Sequence, residues 1–307
     1  MAAAEAMPFG RAVRLLKDVP RRARHGPQEE TAPTALQRGD GAVIVAFARR
    51  GGVSVLADLY QRTPCRVLFP QAPDGEPPTA VLLTTSGGLT GGDRVSISAE
   101  VGAGAAATGT SQAAEKIYRS LGPVAAVRVE LKVDEGGWLE YLPQETIVFD
   151  RARLERRASA SVAPGGRLLA CETVVFGRGA YGESFARGLL HDAWRVIRGD
   201  RLAWADALRL DGDIAAALAA PASFDGAGAL ATALYVGDDA AAHVETARAL
   251  AEHEDCRGGA SLVGGVLIAR FLAREPAIVR RALGRYIAGM RETAAGLPPS
   301  LPRIWHS

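Results

Sequence analysis

A chain of 307 residues can fold as one large or two small domains with a substantial core, and its net charge of +2 excludes a bulk field drawing nucleic acid. Three cysteines, Cys65, Cys171 and Cys256, are odd in number, widely spaced and without a CxxC pair. This argues against a disulfide framework and fits a reducing cytoplasm.

Residues 1–34 mix basic, acidic and proline residues without apolar periodicity and read as a flexible tail. The tail has no apolar h-region of a secretory signal, and no stretch of the chain reaches the roughly 18 apolar residues of a membrane span. The run Leu262 to Ile268 stops at Arg270. A cytoplasmic location is expected.

From about residue 40 to 210 the period is two. Val95, Ile97, Ala99 and Val101 alternate with Ser96, Ser98 and Glu100. Val127, Val129, Leu131 and Val133 alternate with Arg128, Glu130, Lys132 and Asp134. Such alternation marks strands with one buried face. Gly51-Gly52, Asp74-Gly75, Gly136-Gly137 and Pro164-Gly165-Gly166 supply the turns. The reading is a mainly β body over 35–225. Periodicity leaves a sandwich and a β-helix equally open.

The region 226–307 reads as a small C-terminal α/β portion packed on the body as one structural unit. Asp238 is placed to cap a helix through Val244, Ala247 and Leu250. Gly264 to Phe271 reads as a strand. Pro276 suits a first helical turn. After it, Ile278, Val279, Ala282, Leu283, Tyr286, Ile287 and Met290 form an amphipathic stripe, with Arg280, Arg281, Arg285 and Arg291 mostly off it.

Two blocks stand out. Thr84-Thr85-Ser86-Gly87-Gly88-Leu89-Thr90-Gly91-Gly92-Asp93-Arg94 holds two glycine pairs, which permit backbone shapes closed to other residues. Ser111-Gln112-Ala113-Ala114-Glu115-Lys116-Ile117-Tyr118-Arg119-Ser120 follows. The glycine block lacks GxxxxGK[ST] spacing and precedes a strand pattern, so it reads as a turn projecting Asp93 and not as a phosphate loop. Glu115, Lys116, Tyr118 and Arg119 read as an organising network beside it.

Glu140 shares strand parity with Trp138 and Leu142, and Asp206 with Leu202 and Trp204. Both carboxylates should point to the apolar side, where each needs a partner, a proton, water or a metal. An ion pair with Lys116, Arg119 or Arg151 is one reading. A water-filled passage for a divalent cation is the other, since oxygen ligands suit transient handling of Ni²⁺. His253-Glu254-Asp255-Cys256 is too compact for a structural zinc site. Cys65 has basic neighbours but no identifiable histidine base, and reads as a packed thiol. No GxSxG, HExxH or dinucleotide fingerprint is present, so a non-enzyme is expected.

The glycine block and the block after it, with Trp138 to Glu145, including Gln144, Gly177 to Glu183 and Leu301-Pro302-Arg303-Ile304-Trp305, resemble the urease accessory protein UreD (UreH) family. The resemblance spans about residues 35–307. It implies a β-helix-like stack of short strands. It implies a urease maturation scaffold that binds apo-urease and, with UreF and through it UreG, helps deliver nickel. No tightly bound cofactor is implied; Ni²⁺ is cargo. Asp93, Glu140 and Asp206 are the expected contributors to its route. Gly87, Gly88, Gly91, Gly92, Glu115, Lys116, Tyr118, Arg119, Gln144, Arg303 and Trp305 are expected motif or interface residues. Trp305 could anchor a partner or close the protein's own core. Two other classes stay open: an enzyme using the glycine loop for phosphates, and a β-rich structural or carbohydrate-binding module.

Overall fold

The computed structural model describes residues 37–306. In chain order the strands begin with β1 (Asp40–Arg50), β2 (Val53–Arg62), β3 (Cys65–Leu68), β4 (Thr79–Thr84), β5 (Arg94–Val101) and β6 (Ala106–Ser111). They continue with β7 (Glu115–Ile117), β8 (Ala125–Val133), β9 (Trp138–Leu142), β10 (Thr146–Val148), β11 (Arg153–Val162) and β12 (Arg167–Arg178). The last are β13 (Glu183–Ser184), β14 (Arg187–Arg198), β15 (Arg201–Asp213), β16 (Ala229–Val236), β17 (Arg257–Val263) and β18 (Val266–Ala273). Three helices, α1 (Ile214–Ala219), α2 (Val244–Ala251) and α3 (Pro276–Ala295), lie among and after them.

The strands divide between a seven-stranded and an eleven-stranded sheet. Between β4 and β14 the chain passes repeatedly from one sheet to the other, so the strands of each sheet stack in parallel. In the smaller sheet β1, β5, β8, β11 and β14 are parallel. In the larger one β4, β6, β9 and β12 are. This is the β-helix-like stack of coils implied by the resemblance. Antiparallel β2 and β15 close the edges of the smaller sheet.

Alternation places one set of side chains between the sheets. Val43, Val95, Val129, Leu154, Leu168 and Trp194 belong to that core. The opposite face of the larger sheet meets the helices. Trp138, Leu142, Leu169 and Tyr235 pack there against Val279, Leu283, Tyr286 and Met290 of α3. The apolar stripe of α3 therefore covers the protein's own sheet. Pro276 opens this helix, and Gly296 ends it in the left-handed region at φ 63°.

Four sequence expectations need correction. Asp238 does not cap the helix at 244–251; Gly165 N–H donates to its carboxylate at 2.8 Å, and Arg198 pairs with it. The strand expected over Gly264 to Phe271 is β18, because Gly264 and Gly265 make the preceding turn at positive φ. Arg291 is not on the wet face of α3 but 2% exposed. Asp206 does share an inward parity, since it pairs with Trp194, yet β15 is an edge strand and its side chain stays 43% exposed. The tail expected over 1–34 lies outside the described residues. No helix among the described residues is long and apolar enough to cross a membrane.

Candidate functional site

The two blocks singled out in the sequence meet in space. Leu89 N–H donates to Lys116 O and Tyr118 N–H to Leu89 O, both at 2.7 Å. Tyr118 Oη donates to Gly87 O at 3.0 Å, and Thr90 Oγ1 to Arg119 O at 3.0 Å. Gly88 sits at φ 141°, and a Cβ there would lie 2.6 Å from the Tyr118 ring and 2.7 Å from Lys116 O. That close approach is why the position is glycine. Gly87 and Gly92 also have positive φ, and Gly91 abuts Ser120 and Pro123.

The amides of Leu89, Thr90, Gly92 and Asp93 are all taken by acceptors of the protein itself. Asp93 accepts from Gly39 N–H at 2.7 Å and from Thr90 N–H at 2.8 Å. Gly92 N–H donates to Val124 O, and Asp93 N–H to Thr90 O. A phosphate cradle needs amides aimed outward, and these are directed inward.

Behind this turn a cavity of about 250 Å³ opens between the sheets. Cys65, Glu115, Tyr141, Arg156, Glu172 and Trp194 are among its lining residues. Arg156 is buried and donates through Nε to Asp192 Oδ1 at 2.9 Å and through Nη1 to Thr146 Oγ1 at 3.0 Å. Its Nη2 lies 3.1 Å from Glu172 Oε2; neither that oxygen nor Trp194 Nε1, which is near enough to act on the Glu172 carboxyl, makes a well-aligned hydrogen bond among the described residues. Burial, then the charge of Asp192, push the Glu172 carboxyl up to about 7. Burial also raises Glu115, although Thr84 Oγ1 donates to it at 3.1 Å. Burial, then Glu115, push the Cys65 thiol up to about 11, so it is a packed thiol. The cavity thus offers oxygen donors with ionisable character against an apolar wall.

The three carboxylates expected together are apart. Asp93 organises the glycine turn. Glu140, fully buried, faces the helix layer and accepts from Thr108 Oγ1 at 2.7 Å, Trp138 Nε1 at 3.2 Å and Arg291 Nε at 2.7 Å. Its ion-pair partner is Arg291, not Lys116, Arg119 or Arg151. Asp206 pairs with Arg270 and stands opposite Trp194 on the neighbouring strand, where its charge reaches Glu172.

Gln144 donates through Nε2 to Gln112 O at 2.8 Å and accepts from Arg280 at 3.1 Å. Arg280 also holds Glu145, donates to Trp305 O at 2.6 Å, and lies over the Trp305 ring. Trp305 is buried and donates through Nε1 to Thr110 Oγ1 and Leu142 O, both at 3.2 Å, so it closes the protein's own core. Arg303 and Lys116 are exposed. The His253 to Cys256 segment forms a tight turn after α2, with His253 bridged to Cys256. No group of three or more His, Cys, Asp or Glu side chains able to hold a metal occurs among the described residues.

Glu172, Arg156 and Asp192 escaped the sequence reading. The signal was present: Glu172 shares parity with Leu168, Ala170 and Val174, Arg156 with Leu154 and Ala158, and Asp192 with Leu190 and Trp194.

The family model described as UreD urease accessory protein matches residues 39–306. The chain is similar to the urease accessory protein UreD of Methylobacterium sp. (strain 4-46), at 44% identity covering 88% of this chain and 96% of that protein. It is similar to that of Magnetococcus marinus, at 40% identity covering 91% and 97%. The corresponding figures for Rhodopseudomonas palustris (strain ATCC BAA-98 / CGA009) are 43%, 89% and 95%.

Proposed function

The chain belongs to the UreD family of urease accessory proteins, and from that premise we propose that it is a non-catalytic scaffold of urease maturation. In this reading it works in the cytoplasm, binds apo-urease, recruits UreF and, through it, UreG, and hands on Ni²⁺ as cargo. Family membership supports the role in maturation. The observation that carries the nickel part is the inter-sheet cavity with Glu115 and Glu172 in its wall.

Carboxylate oxygens suit brief contact with a divalent ion better than a thiolate and imidazole cage does. Glu172 has one oxygen without an aligned donor and a raised carboxyl, so a cation can displace its proton at neutral pH. Asp206 extends the same electrostatics toward the sheet edge. Asp93 and Glu140 support the route from outside the cavity, by shaping the glycine turn and by anchoring α3.

The test is urease activation in cells carrying the urease structural and accessory genes. Chains bearing E172Q or E115Q should capture apo-urease and UreF normally in a pull-down and still yield urease of low nickel content. Full activation by both variants would remove the cavity from the route. Failure of the unaltered chain to capture either partner would remove the scaffold.

A further inference from the structure

The seven-stranded sheet turns one face to the core and the other outward. On β1 and the adjoining half of β5 its outward positions Ala42, Ile44, Ala46, Ser98 and Glu100 are buried, whereas Arg94 at the start of β5 and the outward positions Arg128, Glu130, Arg157 and Arg195 of β8, β11 and β14 are exposed. In register across the strands stand Ser96, Arg128, Arg157 and Ala193, and beside them Ser98, Glu130, Ser159 and Arg195.

The guanidinium groups of Arg94, Arg128 and Arg195 make no hydrogen bond or ion pair with other described residues, and all three are exposed. Arg128 lies directly across from Arg157 on the neighbouring strand. Like charges so placed are destabilising. The acid nearest Arg157 is Glu155 of its own strand, at 3.8 Å. Arg94, Arg128, Glu155 and Arg157 line a depression of about 320 Å³ in this face. Arg94, Arg128, Arg157 and Arg195 outnumber the acids beside them, Glu130 and Glu155, which leaves a local excess of positive charge.

From this we infer that the arginine-bearing part of this outward face is a docking surface for a partner protein presenting a carboxylate-rich segment. Arginine forks bind carboxylates bidentately, and such a partner relieves the repulsion between Arg128 and Arg157. The small residues between the arginines let an extended backbone approach closely. This surface is on the opposite side of the sheet from the cavity, and the inference stands whatever the cavity carries.

The experiment uses the purified full chain and fluorescein-labelled poly-L-glutamate, with anisotropy read at rising salt. A labelled DNA duplex is the second probe. Poly-L-glutamate should bind, with affinity falling as salt rises. The R94S/R128S/R195S variant should bind about tenfold more weakly. R248A/R274A/R281A, which removes three exposed arginines outside this sheet, should match the unaltered chain. R128Q alone should show a smaller loss, and the melting temperature of these variants should not fall, since removing Arg128 relieves its repulsion with Arg157. Absence of binding, or equal binding by the two triple variants, overturns the inference. So does tighter binding to DNA that is lost with Arg94, Arg128 and Arg195, which would make this a nucleic-acid face.

Discussion

Arg291 holds more of this structure together than any periodicity suggests. It donates to Glu140 at 2.7 Å and to Pro298 O at 3.0 Å and pairs with Glu76, tying α3, the larger sheet and the C-terminal segment. Removing one partner of a buried pair leaves an uncompensated charge, which costs about 3–5 kcal/mol. R291L should therefore lose stability on that scale in urea unfolding, and E140Q added to it should restore part of the loss. A loss below about 1 kcal/mol would place the pair among surface ion pairs. Glu172 makes a different prediction. Its carboxyl is raised from 4.5 to about 7, so the folded chain holds a proton the unfolded chain has released. The stability it contributes is complete below pH 4.5 and is lost as pH rises through 7. The unaltered chain should thus lose stability across that window relative to E172Q. Urea midpoints of the two proteins over that window check this, and a relative gain with rising pH would contradict it.

At the scale of elements, the block Ser111 to Ser120 could be read from the sequence as lying beside the glycine turn, but the bonds that join the two could not. Turn chemistry is local, whereas the bonds joining Leu89 to Lys116 and Tyr118 depend on the stacking of coils. The structural consequence is testable. Gly88→Ala forces a Cβ toward Lys116 O and the Tyr118 ring at φ 141°. Strained backbone of this kind costs about 1–3 kcal/mol, and the clash adds to it. G88A should lower the melting temperature, whereas G87A, with positive φ but open space around its Cβ, should lower it less. Equal losses would show that φ alone decides. Strands with one wet face, such as β8, were legible because their alternation is clean. β15 was legible in parity but not in burial, since nothing in its own residues says that it lies at a sheet edge. Arg291 was illegible because the buried acids it meets are far away in sequence.

For the molecule as a whole, the coils could be read as strands and turns, but the choice between sandwich and stack needed the family resemblance. Alternation says that a face is buried and is silent about what buries it. The division at 225/226 marks a change of composition and not a break in the core. β16 lies beyond that point, yet it pairs with β12 from Leu168↔Val236 to Val175↔Ala229. β18 then pairs with β16, and α3 covers the face they share with Trp138 and Leu169. The larger sheet contributes one face to each core, so neither core can open without disturbing the other. Residues 38–307 should accordingly unfold as one unit, with tryptophan fluorescence and far-ultraviolet circular dichroism giving coincident urea transitions. Trp194 and Trp204 report on the inter-sheet core, and Trp138 and Trp305 on the helix-covered one. A chain ending at residue 225 would leave Leu169, Cys171 and Val175 of β12 bare and one edge of that strand unpaired. It should be insoluble or unfolded. Two separated transitions, or a folded 38–225 fragment, would mean that the C-terminal portion is an independent domain docked onto a self-sufficient stack.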